Sequence, residues 1–197
     1  MDKFSYALGL GIGQNLLNMG AKDIAVNDFA QAISDVLQSA PTAITHKEAR
    51  DIVNKFFEDM AARVNAENKE KGEKFLEENK KRAGVVTLPS GLQYEVIKEG
   101  QTGHYAKATD RVQCHYEGTL VDGTLFDSSI QRGQPAVFGV NQVISGWVEA
   151  LQLMPEGAKW KLYIPSELGY GAQGAGELIP PHSTLIFEVE LLKILSE

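Results

Sequence analysis

His115-Tyr116-Glu117-Gly118-Thr119-Leu120-Val121-Asp122-Gly123-Thr124-Leu125-Phe126-Asp127-Ser128-Ser129 is the stretch on which the reading of this 197-residue chain turns. Asp122-Gly123 sits between two apolar runs. That dipeptide is the strongest short-range hairpin signal, because its turn needs a positive φ that glycine tolerates. A hairpin here carries Tyr116, Phe126 and Asp127 toward one place. Downstream come Val143-Ile144-Ser145-Gly146-Trp147, Gly169-Tyr170-Gly171, Ile179-Pro180-Pro181-His182 and Leu185-Ile186-Phe187. Together these predict a cup with aromatic and aliphatic walls and few polar groups.

Around the hairpin the apolar pattern has a period of two. Leu92, Tyr94 and Val96 alternate with Gln93 and Glu95, and Arg111 to Gly118, Ala158 to Ile164 and Thr184 to Ile194 also read as strands. Gln142 to Leu153 reads as a short helix, stopped by Pro155-Glu156-Gly157. Several strands and one helix predict an α+β unit, an antiparallel sheet wrapped around a short helix, over residues 84–197. Gly84 to Ser90 is read as the linker that opens it.

Residues 1–83 follow a helical period instead. A first helix spans Ser5 to Met19, with Ser5 as its cap and Gly20 as its stop. Gly9, Gly11 and Gly13 lie inside it. Each glycine costs a helix interior about 1 kcal/mol relative to alanine, so the trio points either to close approach of another helix or to an irregular terminus. Asn27 is the expected cap of a second helix that puts Phe29, Ile33, Val36 and Leu37 on one face, with Pro41 ending it. Thr45 and Glu48 form a capping-box pattern. Ile52, Val53, Phe56, Phe57, Met60 and Val64 then make an apolar stripe that stops where Glu67 to Lys74 becomes almost entirely charged. The reading is one long stalk helix from Thr45 to Arg82, about 55 Å at roughly 1.5 Å per residue. Its first half packs, its second half spans water, and Gly72 is the expected bend. So small a helical region buries little apolar surface, which leaves a homodimer interface over 1–64 or a self-contained three-helix bundle.

The composition narrows the classes. A net charge of -7 argues against a nucleic-acid phosphate binder, which needs a basic face. The single cysteine, Cys114, allows no intrachain disulfide, so the fold stands on its core. No stretch approaches the roughly 18 apolar residues of a membrane span, and the start carries no signal-peptide pattern. The compartment expected is the cytoplasm, or the periplasm or exterior if a leader has been removed.

From about Gly91 to the C-terminus these motifs resemble the FKBP family of peptidyl-prolyl cis-trans isomerases, which bind the macrolides tacrolimus and rapamycin. The resemblance implies a half-barrel around Trp147, with Tyr116, Phe126, Phe138, Val143, Ile144, Ile179 and Phe187 against the ligand. It implies that the Ile144 N–H and the Tyr170 hydroxyl hold ligand carbonyls, that Asp127 supplies a rim carboxylate, and that Arg132 pairs with Asp127 and Tyr116. Asp127, Tyr170, Phe126, Tyr116, Ile144 and Phe187 are then the catalytic set. The implied substrates are prolyl segments of unfolded or partly folded chains, and no cofactor or metal is implied. Two positions depart from the family pattern, Ala136 after Pro135 and Ala175 before Ile179, which predicts a wider pocket. Gln142 stands where some members have Glu. The helical region, with its Ser5-Tyr6-Ala7-Leu8-Gly9 start and its stalk, resembles the Mip-like dimeric bacterial subgroup.

Other chemistries fit poorly. Gly169-Tyr170-Gly171-Ala172-Gln173-Gly174 has the letters of a phosphate loop, yet Leu178-Ile179-Pro180-Pro181 follows where a helix should start, and it reads as a flexible flap. Cys114 and His115 are neighbours on a strand and face opposite sides, so they make no nucleophile–base pair. His46, His104, His115 and His182 show no metal-ligand spacing. Two functions remain open beside each other: an isomerase, and a holdase whose cup grips prolyl segments with little turnover.

Overall fold

The computed structural model describes residues 1–195 and divides into two compact units, with the division after Ala62. The first holds α1 (Lys3–Asn18), α2 (Val26–Leu37) and the start of α3 (His46–Asn79). α1 begins two residues earlier than the sequence pattern predicts. Asp2, not Ser5, is its cap: the Asp2 carboxylate accepts from the Ser5 N–H at 2.7 Å. α1 ends as predicted at Gly20, whose φ of +80° lets Ala21 N–H reach Leu16 O and Gly20 N–H reach Leu17 O. α2 starts at Val26 and has no side-chain cap, so Asn27 lies inside it. The capping box at α3 is present: Glu48 accepts from the Thr45 N–H at 2.8 Å, and Glu48 N–H donates to the Thr45 hydroxyl at 3.2 Å.

No residue of this unit is buried. Phe4 is 72% exposed and Phe56 45%, and Ile33, Val36 and Val53 are also open. A Cβ on Gly9, Gly11 or Gly13 would meet nothing within 4 Å. The apolar stripes are therefore present and uncovered within one chain.

The second unit is an antiparallel sheet with α4 (Ser145–Leu153) packed against it. Its strands are β1 (Val85–Thr87), β2 (Gln93–Lys98), β4 (Arg111–Leu120), β5 (Leu125–Ser128), β6 (Ala136–Gly139), β8 (Lys159–Ile164) and β9 (Leu185–Leu195). They run in the order β1-β2-β8-β9-β4-β5, and β6 also pairs with β4. β3 (Gln101–Tyr105) and β7 (Pro155–Glu156) form a separate pair. The period-two reading holds at the centre: Val112, Cys114 and Tyr116 of β4 and Leu185, Phe187, Val189 and Leu191 of β9 are buried on alternate positions. α4 approaches β8 closely enough that a Cβ on Gly146 would lie 2.6 Å from Ile164 Cγ2. This is the α+β architecture that the sequence predicts.

The second half of α3 departs from expectation. It does not span water but lies on the sheet of this unit. Asn79 Nδ2 donates to Gln93 Oε1 at 2.8 Å, and both residues are buried. Gln93 Nε2 returns a bond to Leu76 O at 3.0 Å. Phe75 packs on Tyr163 with ring centroids 5.9 Å apart. Arg82 donates to the Tyr163 hydroxyl at 2.9 Å and to Glu95 at 3.1 Å. Gly72, the expected bend, lies within the continuous α3 and is buried, facing Thr184.

Replacing Asn79 with Ala leaves the Gln93 carbonyl buried without a partner, a loss of about 1–3 kcal/mol. The urea midpoint followed by fluorescence should fall accordingly, since both tryptophans, Trp147 and Trp160, lie in this unit. An unchanged midpoint would mean that the Asn79–Gln93 bond contributes nothing to holding α3 on the sheet.

Candidate functional site

β4 and β5 form the predicted hairpin. Gly123, at φ +88°, donates to Leu120 O at 3.0 Å, and Asp122 Oδ1 accepts from the Thr124 N–H at 2.9 Å. Alternation along β4 turns Tyr116 into the core, and the hairpin brings Phe126 and Asp127 back beside it. Gly118 lies opposite Phe187 in the β4–β9 register. A Cβ at Gly118 would stand 2.6 Å from both the Phe126 and Phe187 rings, so only glycine lets the two rings close over the strand. Phe126 and Phe187 then pack edge to face at 5.4 Å.

Trp147, 4% exposed on the first turn of α4, is the centre of the cluster. Tyr116, Phe187 and Phe138 surround it edge to face, at centroid distances of 5.3, 5.3 and 5.6 Å. Such pairs each contribute roughly 0.5–1.5 kcal/mol beyond area burial. Above this floor opens a cavity of about 570 Å³, lined by Tyr116, Phe126, Asp127, Phe138, Gln142, Val143, Ile144, Trp147, Tyr170, Ile179 and Phe187. All the residues read from the sequence as ligand contacts line it except Arg132, which stands behind Asp127. Gln142, noted in the sequence only for its missing charge, is a lining residue as well. Ala136 and Ala175 are not; both pack against the buried core.

The polar groups are few and placed. Tyr116 OH donates to Asp127 Oδ2 at 2.5 Å, and Arg132 donates to Asp127 Oδ1 and, at 2.7 Å, to the Tyr116 oxygen. Burial pushes the Asp127 carboxyl up, but the bonds from Tyr116 and Arg132 and the guanidinium charge outweigh it. The net effect holds Asp127 below its ordinary value of 3.8. Burial and the bond to Asp127 raise the Tyr116 phenol above its ordinary 10.0, against the pull of Arg132. At neutral pH the rim is thus a carboxylate beside a protonated phenol. Ile144 precedes α4, and its carbonyl accepts from the Trp147 and Val148 N–H groups at 2.9 and 3.1 Å. Among the described residues, none accepts a hydrogen bond from the Ile144 N–H or the Tyr170 hydroxyl. Both are donors with unspent capacity on the cavity wall.

The remaining candidates fall outside the cavity. His115 Nδ1 lies 3.1 Å from the buried Ser129 hydroxyl, which in turn accepts from the Tyr116 N–H at 2.8 Å, so His115 braces the strand. Cys114 is buried, and its thiol is pushed up to about 12 by that burial, which removes it as a nucleophile. A second concavity of about 530 Å³ beside α3 gathers Lys71, Lys74, Glu78 and Asp122 around one ring, Phe75, and converges on no reacting position.

Comparison with known proteins agrees with this geometry. Residues 103–192 match the family model described as FKBP-type peptidyl-prolyl cis-trans isomerase, and residues 1–96 match the domain amino terminal to it. The chain is 48% identical over 195 residues to the FKBP-type 22 kDa peptidyl-prolyl cis-trans isomerase of Escherichia coli, covering 97% of this chain and 94% of that protein. It is 43% identical to the outer membrane protein MIP of Legionella longbeachae, covering 98% and 85%. The crystal structure of FkpA from Escherichia coli superposes with a TM-score of 0.80 at 34% identity, covering 98% of this chain and 96% of that one. No helix among the described residues is long and apolar enough to cross a membrane. An aromatic cup whose one carboxylate, Asp127, is engaged by Tyr116 and Arg132, on a chain alike along its whole length to such enzymes, leads to one family: the chain belongs to the FKBP-type peptidyl-prolyl cis-trans isomerases and is a peptidyl-prolyl cis-trans isomerase.

Proposed function

We propose that the Trp147 cavity is the catalytic site, with Asp127, Tyr170, Phe126, Tyr116, Ile144 and Phe187 as the catalytic set. The observation that carries this reading is the convergence of an aromatic floor, a fixed carboxylate and two unpaired donors on one concavity. An X-Pro bond rotates over a barrier of about 18–20 kcal/mol because twisting breaks amide resonance. The twisted amide is less polar than the planar one, so a water-poor apolar cup binds it better than the ground state. The proline ring rests on Trp147 between Phe126 and Phe187. The Ile144 N–H and the Tyr170 hydroxyl hold carbonyls on either side of the rotating bond, so that one end stays fixed while the other turns. Arg132 and Tyr116 keep Asp127 ionised and aimed at the rim. Tacrolimus and rapamycin occupy the same cup, resting on the same floor.

Two copies of the chain pair through residues 1–64, with 1–83 as dimerisation region and stalk and 84–197 as isomerase domain. The support is the uncovered apolar faces, Val53 and Phe56 on α3 and Ile33 on α2, and the open grooves at Gly9, Gly11 and Gly13. Two cups on one dimer hold an unfolded prolyl client by avidity, which adds chaperone-like binding to turnover. The compartment we propose is the cytoplasm, with the periplasm or exterior as the alternative; the single unpaired cysteine, Cys114, suits a reducing compartment.

On a tetrapeptide with a hydrophobic residue before proline, Tyr170→Phe should lower kcat/KM about 2- to 12-fold, as expected for one neutral hydrogen bond of roughly 0.5–1.5 kcal/mol. Asp127→Ala should lower it about 10- to 100-fold, since a charged partner is lost. Turnover that survives both substitutions would remove the cavity from the mechanism. Because the folded pKa of Asp127 lies below 3.8, its ionised form and the stability of the triad persist through neutral and mildly acidic pH. They are lost only as pH falls through that lowered value. The kcat/KM profile should therefore stay flat from about pH 8 to pH 5, and a step between pH 6 and 7 would point to a histidine instead.

Phe56→Glu should convert the dimer to monomer by sedimentation and keep peptide turnover within about twofold. Suppression of aggregation of an unfolding prolyl protein should drop several-fold, as avidity requires. A sedimentation profile that Phe56→Glu leaves unchanged would place the interface elsewhere.

A further inference from the structure

Two of the cavity's walls belong to one braced loop. Ile179 exchanges both backbone hydrogen bonds with Ala175, at 2.9 and 3.2 Å. Three residues on, His182 takes a left-handed φ of +58° and donates its N–H to Gly171 O at 2.8 Å, next to Tyr170. Ser183 Oγ donates to Pro180 O at 2.7 Å. The segment from Ile179 to Thr184 therefore fixes Ile179 at one end and Tyr170 through Gly171. Its other side is held by α3. Asn68 Nδ2 donates to Pro181 O at 3.3 Å. One turn later Gly72 is buried against Thr184, which is itself 4% exposed. A Cβ there would collide with Thr184 Oγ1 and come within 3.2 Å of Thr184 Cβ.

A helix that only covered a sheet would gain from alanine at position 72, because glycine costs a helix interior about 1 kcal/mol by comparison. The neighbours on α3 are charged residues that favour a helix, so the glycine answers a demand of the loop and not of the helix. The same holds for Asn68, whose amide satisfies a carbonyl that a proline-rich loop leaves without a strand partner.

We propose that Asn68 and Gly72 are positioning residues of the isomerase: α3 seats the 179–184 loop, and the loop sets Ile179 and the Tyr170 hydroxyl against the prolyl substrate. The proposal rests on the cavity being the catalytic site. α3 is then part of the enzyme and not only a stalk.

The test uses the full-length chain and the same tetrapeptide, with the Ile179 methyl shift read by NMR. Gly72→Ala should lower kcat/KM about fivefold and move the Ile179 methyl signal. Gly72→Ala/Thr184→Ala, which removes the colliding hydroxyl and leaves only the 3.2 Å approach of the two Cβ atoms, should recover a large part of both. Asn68→Ala, which adds no atoms, should lower kcat/KM about two- to threefold. Folded Gly72→Ala with wild-type kcat/KM overturns the proposal. So does a loss that Thr184→Ala does not restore while the Ile179 signal stays in place. Asp127→Ala separates the two claims. If it lowers turnover and Gly72→Ala does not, only the positioning role fails; if it leaves turnover intact, the cavity assignment fails with it.

Discussion

The isomerase unit depends on one buried indole. Trp147 is held edge to face by Tyr116, Phe138 and Phe187, which come from three strands, and it reaches them because Gly146 lets α4 press onto Ile164. Each ring serves the core on one side and lines the cavity on another. Core and cavity therefore share side chains, and the floor is as rigid as the packing behind it. Gly118 is the second condition, since any Cβ there would drive Phe126 and Phe187 apart. A pocket floored by loops would not have this property; this floor inherits its shape from the sheet and α4, while Tyr170 and Ile179 of the walls come from loops.

Against so apolar a floor the polar groups must be satisfied or directed. The Asp127–Tyr116–Arg132 triad closes on itself, so the carboxylate is stabilised at the rim without intruding on the floor. Ile144 N–H, Tyr170 OH and the buried Trp147 indole N–H are the exceptions, donors that find no acceptor among the described residues. Tyr170 is 39% exposed, so its hydroxyl is open to water and an incoming carbonyl would exchange one hydrogen bond for another there.

Much of this was legible in the sequence, and the reason is local. Strand alternation exposed Tyr116 and Phe187 as inward residues, and Asp122-Gly123 placed the hairpin, because both signals act between neighbours. The lining set was legible because the motifs that carry it resemble a known family; without that, Trp147 and Phe187 read as ordinary core. The misses have a common cause. Gln93 reads as an outward polar residue of β2 and is buried under Asn79. Glu67 to Lys74 reads as a solvated face, yet Asn68 and Gly72 within it meet Pro181 and Thr184. Hydrophobic periodicity detects burial of apolar surface and is blind to a helix that docks through an amide, a glycine and a carbonyl. Caps failed the same way on a smaller scale, since Asp2 and Ser5 are both good cap residues and only the geometry chooses.

A mid-helix glycine is the sign that could have revealed the docking. In an exposed helix glycine has no advantage over alanine, so its presence implies either a bend or a contact too close for a methyl group. The charged surroundings favoured the first explanation; the Thr184 contact establishes the second. The same logic applied to Gly9, Gly11 and Gly13 leads the other way within one chain, because nothing approaches them. Three glycines in one helix, each with open space where a side chain would be, are the complement of Gly72: a close approach for which the chain by itself supplies no second surface.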